Sequence, residues 1–121
     1  MKKLEDTFVP VIVESPFKSN EESSEEEHKD YLERCLLDCV TKGETPYASH
    51  KMLTKCLNDA VPEERALGIS AGLAMARILA RHGGVPTFYL DYGWSNGMLL
   101  AKEFYTKHNI PIVQRWIGRN R

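Results

Sequence analysis

The sequence predicts a single small α/β domain: one parallel sheet of about four strands with helices on both faces. Three observations lead there. Short β-branched apolar runs alternate with longer stretches of helical periodicity along the chain. None of these runs is joined to the next by a hairpin turn, so consecutive strands need crossover connections, and these are right-handed. The 121 residues, 42% hydrophobic and 27% charged, suit one soluble domain spanning residues 1–121.

Residues 1–7 read as a tail. Phe8 to Val13 is β-branched and apolar and is ended by Ser15-Pro16, which makes it a buried strand. Residues 18–26 read as an acidic loop and helix start, because residues 21–30 (EESSEEEHKD) hold six acids and one Lys. Asn20 or a Ser is placed to cap a helix whose acidic first turn suits the positive end of its dipole. Leu32, Cys35, Leu36, Cys39 and Val40 then recur at i, i+3, i+4, i+7 and i+8, an amphipathic helix of about five turns. Gly43 follows where a left-handed residue is wanted.

Thr45 to Ala48 reads as a second strand and Ser49 to Leu57 as a short helix, punctuated by Asn58-Asp59. Pro62 suits the first turn of a third helix, which runs to Arg81 before His82-Gly83-Gly84. That helix is rich in small residues: Gly68, Ser70, Ala71, Gly72, Ala74 and Ala76. Gly costs about 1 kcal/mol against Ala inside a helix. Close packing on the sheet, a second subunit or a ligand near the backbone must offset it. Pro86 to Asp91 is the third strand, Gly93 lies in the turn after it, Gly97 to His108 forms a fourth helix and Pro111 to Trp116 a last strand. Residues 117–121, with Arg119 and Arg121, read as a basic tail.

Composition excludes several function classes. Sixteen Lys plus Arg against seventeen Asp plus Glu leave a net charge of −1, without the basic footprint of a duplex nucleic-acid binder. Phe8–Val13 is too short for a membrane span or a secretory leader. Three cysteines cannot all pair within one chain, which fits a cytoplasmic protein better than a secreted one. Cys35 and Cys39, with His28 nearby, lie on the apolar stripe and read as core rather than metal ligands, and Cys56 reads as structural. No Gly-x-Gly-x-x-Gly follows the first strand and no phosphate-loop Gly-Lys-Ser/Thr occurs, so no nicotinamide or other cofactor is expected.

In an open parallel sheet, ligands bind beyond the carboxyl ends of the strands. The segments there are Glu14-Ser15-Pro16-Phe17, Ser49-His50, Asp91-Tyr92-Gly93-Trp94-Ser95-Asn96-Gly97-Met98 and Gln114-Arg115-Trp116. Together they make a small-molecule site the working expectation. Ser95, Asn96 and Gly97 open a helix whose unpaired N–H groups attract anions. His50 and Arg65 are placed to meet phosphate or ribose, and Tyr92 or Trp94 to stack a base.

The succession Ser15-Pro16-Phe17-Lys18, Ala48-Ser49-His50, Pro62-Glu63-Glu64-Arg65-Ala66-Leu67-Gly68 and Ser95-Asn96-Gly97-Met98 resembles small phage and bacterial domains related to nucleoside 2-deoxyribosyltransferases. The resemblance spans about residues 9 to 116. It implies a Rossmann-like or flavodoxin-like fold holding a nucleoside or nucleotide at the strand ends, in a dimer or higher homo-oligomer. It also implies a nucleophilic Glu near the start of the fourth helix, where this chain has Met98 and Ala101; Glu103 lies about two turns from the cap. Without that Glu, double displacement lacks its nucleophile. The leading expectation is therefore a binder that sequesters a nucleotide signal of the host, as a phage protein would. The rival is an N-glycosidase or deoxyribosyltransferase using Glu14, Asp91 or Glu103. A third class is a protein-interaction module that inhibits a host protein through its acidic helix and basic tail.

Overall fold

The alternation of apolar runs and helical stretches is realised as four parallel strands linked by helices. The computed structural model describes residues 4–17 and 23–118. Lys18 and Asn20, as well as Arg119 and Arg121, fall outside them. A 3-10 turn at Leu4–Thr7 leads into β1 (Val9–Glu14), followed by α1 (Glu25–Thr41), β2 (Glu44–Tyr47) and α2 (Ser49–Leu53). Then come α3 (Pro62–Arg81), β3 (Val85–Tyr89), α4 (Asn96–Lys107) and β4 (Val113–Arg115). The second strand begins and ends a residue earlier than expected, and the short helix stops at Leu53 rather than Leu57. Beyond it the chain continues in turns, where Leu57 N–H still reaches Leu53 O at 2.9 Å.

The strands lie in the order β2-β1-β3-β4, all parallel. That is the start of the doubly wound order whose switch point falls between β1 and β3. The chain leaves β1 towards β2 and leaves β3 towards β4. With one hand of crossover, the connecting helices must therefore lie on opposite faces. They do: Tyr31, Leu32, Cys35 and Cys39 of α1 pack with Val11, Val13 and Tyr89. Ala76 of α3 and Met98, Ala101 and Tyr105 of α4 pack with Ile12, Phe88 and Leu90.

Local chemistry sets the ends. Ser24 caps α1, accepting from Glu27 N–H, while the Glu27 carboxylate accepts from Ser24 N–H at 2.9 Å. This reciprocal pair fixes the helix start within the acidic block. The small residues of α3 divide in two. Ala76 packs in the core, but Gly72 faces Ser49 of α2, where an added Cβ would stand 2.5 Å from the hydroxyl. Close approach of α2, rather than of the sheet, explains that glycine. The outward face of α3 leaves Leu67, Met75 and Ile78 exposed.

Two charged groups placed at the rim by the sequence belong to the α1 side of the sheet instead. The Asp91 carboxylate accepts from Tyr31 O–H at 2.6 Å and from the N–H groups of Ile117 and Gly118 at 2.8 and 2.7 Å. Residues 117 and 118 are therefore clasped rather than a free tail. Burial alone would raise the Asp91 pKa, but these hydrogen bonds outweigh it and hold the group below the ordinary value. Arg115 pairs with both oxygens of Glu44, at 2.8 Å from Nη1 to Oε1, and also donates to the Tyr89 hydroxyl at 3.0 Å. Asp38 lies 3.7 Å away. Asp91→Ala strands one hydroxyl and two N–H groups, so it should destabilise the chain by about 3 kcal/mol. A lower urea midpoint at unchanged slope would show it; a change under about 0.5 kcal/mol would remove the clasp from the account.

Candidate functional site

Beyond the ends of β1 and β2, and between α2, α3 and the start of α4, lies a cavity of about 580 Å³. Its size suits a nucleoside-scale ligand. Each wall follows from the local sequence. Ser15, Pro16 and Phe17 continue β1 past its last paired residue, and Ser49 and His50 open α2. Arg65 lies in the first turn of α3, and Trp94, Ser95, Asn96, Gly97 and Met98 form the entry to α4. All these positions, with Glu14, are ones the sequence assigns to the rim, and the fold brings them together. The same helix turn carries Glu63, which stays exposed, and Glu64, which lines the cavity.

Other expected residues lie elsewhere. Asp91 and Arg115 are committed to the clasp and the ion network. Tyr92 turns its ring against His28 and Tyr31, with centroids 5.1 and 4.8 Å away. Gly93 is exposed, and its φ of +78° closes the turn in which its N–H meets Leu90 O. Glu103 is exposed on α4 and does not line the cavity. Cys56 is exposed too, while Cys35 and Cys39 are core.

Three buried side-chain polar atoms have no hydrogen-bond partner among the described residues: Ser15 Oγ, His28 Nδ1 and His50 Nε2. All three residues line this one cavity. Buried polar atoms are nearly always paired, and each exception needs a reason. His50 packs edge-on against Phe17 at 5.2 Å, and its burial lowers its pKa to about 4, so the imidazole is neutral. His28 Nε2 lies 2.6 Å from Ser23 Oγ, so the unpartnered nitrogen of this cavity-lining residue is Nδ1.

Electrostatics divide the site. Ser95 caps α4 by accepting from Met98 N–H at 3.2 Å, which leaves the Asn96 and Gly97 N–H groups without intrahelical partners. Arg65 lines the cavity without an ion pair or side-chain hydrogen bond among the described residues. These are the features that attract an anion. Opposite them, Glu14 Oε2 accepts from Tyr105 O–H at 2.6 Å. Burial raises the Glu14 pKa to about 7 although the tyrosine bond pulls the other way. The nearby Glu14 charge also helps keep the Tyr47 hydroxyl protonated, after burial itself. No group of His, Cys, Asp and Glu among the described residues could hold a metal ion.

The sequence reading missed His28, Tyr47 and Tyr105 as parts of this site. Tyr105 belongs to the buried stripe Met98, Ala101, Tyr105 of α4, so its burial was readable from spacing. Its partner Glu14, on a distant strand, was not.

A small parallel α/β domain with a partly polar cavity at its carboxyl edge is the class that the fold and this geometry define. The chain belongs to the family described as Domain of unknown function (DUF7768), whose profile matches residues 9–115. No curated protein and no solved structure matches it.

Glu14 and His50 give opposed pH dependences. The folded Glu14 keeps its proton to about pH 7 while an unfolded one loses it near 4.5, so stability falls as pH rises through that window. His50 is protonated near 6.5 when unfolded and only near 4 when folded, so stability falls as pH drops from 6.5 to 4. Glu14→Gln removes the first slope. The variant should exceed the parent by about 3 kcal/mol at pH 8 and converge with it near the ordinary carboxyl pKa. Urea titrations across that range decide it; parallel pH profiles would show that Glu14 ionises normally.

Proposed function

We propose that this chain binds a nucleoside or nucleotide in the cavity beyond the carboxyl ends of β1 and β2 and holds it intact. The observation that carries the reading is that Ser15, His28 and His50, each with a buried polar atom lacking a partner among the described residues, all line one cavity. Sugar hydroxyls and base edges offer the donors and acceptors these atoms lack. The Asn96 and Gly97 N–H groups with Arg65 suit an anionic group at the other end, and Trp94 and Phe17 supply aromatic walls.

The charge balance favours few phosphates. Arg65 is the one lysine or arginine on the cavity wall among the described residues, against Asp59 and Glu64. A triphosphate would meet more repulsion than attraction there, so a nucleoside or monophosphate fits better. A binder without turnover would act by sequestration. On the resemblance to phage domains, its ligand would be a nucleotide signal of the host.

One observation favours a second reading, a nucleoside hydrolase. Glu14 has the near-neutral pKa of a general base and faces the cavity. Water losing a proton to its carboxylate could attack the anomeric carbon, with the C–N electron pair leaving on the base. Against it, the α4 residues on the cavity wall include apolar Met98 and Ala101 where a glycosyl-accepting carboxylate would be needed.

The test is incubation of the purified chain with nucleosides, their mono-, di- and triphosphates and cyclic nucleotides. Filtration, heat release and chromatography with mass detection follow. Intact nucleoside or monophosphate should come off the protein. Free base in the filtrate would instead establish the hydrolase, and neither a retained compound nor free base would sink both. With a bound monophosphate, Arg65→Ala should weaken binding roughly tenfold while leaving the parent nucleoside nearly unchanged. Equal loss for both would take the anion away from this end.

A further inference from the structure

Glu14 is the least ordinary group on the cavity wall. Its Oε2 accepts from Tyr105, and its Oε1 has no partner among the described residues. The titratable groups against it are Tyr105 from α4 and Tyr47 from β2, both of which burial keeps protonated. Phe88, level with it on β3, is apolar. The other titratable groups that line the cavity are neutral His50 from α2, His28 from α1, Asp59 from the turns before α3 and, on α3, Glu64 and Arg65. Glu64 Oε1 is engaged by Asn58 N–H at 2.6 Å. No cation is paired with Glu14 among the described residues.

This geometry has a chemical consequence. With Oε2 accepting from Tyr105 O–H, a proton on Oε1 has no partner among the described residues, and the residue that carries it lines the cavity. We infer that Glu14 meets the ligand as a neutral carboxylic acid, its Oε1–H donating to a ring nitrogen or carbonyl oxygen of a nucleobase, so that binding at neutral pH takes up a proton. The inference rests on the proposed nucleoside pocket and assigns Glu14 the reading of the base. A ligand presenting N–H donors there would prefer the ionised form and would release a proton instead.

The consequence for affinity is directional. The free group titrates near pH 7, so affinity should be flat below about pH 6 and fall by about tenfold per pH unit above about pH 7. Gln presents an N–H donor in the same place without titrating. Glu14→Gln should therefore retain the low-pH affinity and carry it unchanged to pH 9. Tyr105→Phe removes the hydrogen bond that lowers the Glu14 pKa, so its break should move to higher pH.

The experiment is isothermal calorimetry of the wild-type chain with the four ribonucleosides and their 5′-monophosphates between pH 5.5 and 9. Two buffers of different ionisation enthalpy report the protons exchanged. Nucleosides are decisive because the monophosphate group itself titrates in this range. Proton uptake at pH 8 that disappears in Glu14→Gln supports the assignment. Flat affinity in the wild type, proton release, or the same profile in the variant overturns it while leaving the pocket intact. If Glu14→Gln does not fold, carbon NMR of the wild-type Glu14 carboxyl decides instead, since its titration must move upward in the complex. Binding of none of these probes at any pH overturns the proposed function and this inference with it.

Discussion

Strand β1 is the constraint on which the rest of the structure depends. It pairs in parallel with β2 on one side and β3 on the other. The chain leaves β1 through α1 on one face and leaves β3 through α4 on the other, which opens a crevice at the carboxyl ends of these two adjacent strands. Residues Glu14 to Phe17 at the end of β1 are thereby held in that crevice, rigid at the paired end and open beyond it. The cost is a carboxyl group removed from water beside a tyrosine instead of a cation. The protein tolerates this by keeping the group protonated to near pH 7.

The pleat sorts the polar groups into two sites that share no side chain. Val11, Val13 and Tyr89 face α1, and Asp91 and Arg115 follow the same parity. Ile12, Phe88 and Leu90 face α3 and α4, and Glu14 follows that parity to reach Tyr105. Register extends the sorting to β2: Glu44 lies beside Val9 and joins the ion network, whereas Tyr47 lies beside Ile12 and joins the cavity. One face carries paired charges that tie β2, β4 and the residues after β4 to α1. The other carries Glu14, whose carboxyl group meets a tyrosine hydroxyl and no cation among the described residues.

Much of the fold was legible because hydrophobic periodicity and end signals agreed. Pro62 opens α3, Gly43 closes the turn after α1 with φ +78°, and Ser24 caps inside the acidic block. The cavity was partly legible, since the strand-end rule gathers Ser15, His50 and Ser95 without knowledge of any contact. Asp91 and Arg115 were misplaced by applying that rule to whole segments and ignoring the period of two within each strand. Parity alone would have sent both to the α1 face. The Glu14–Tyr105 contact spans 91 positions, and no local pattern carries such a pairing.

The position of the carboxyl group bears on what this scaffold can do. In the resemblance first drawn from the sequence, a carboxylate at the start of the fourth helix would attack the sugar. Here the inward positions of that helix are Met98, Ala101 and Tyr105, all buried. Glu14 stands on β1, where a tyrosine hydroxyl donates to it. A carboxylate meant to attack carbon needs to be ionised, and a nearby cation or several N–H donors would keep it so. Glu14 has neither among the described residues, and burial acts in the opposite sense. An acid kept neutral in this way is better suited to donating a hydrogen bond than to forming a covalent one. The same logic covers His50, which burial keeps uncharged and whose Nε2 has no partner among the described residues. Two groups able to carry opposite charges thus line one cavity, and burial rather than a partner sets the ionisation of each.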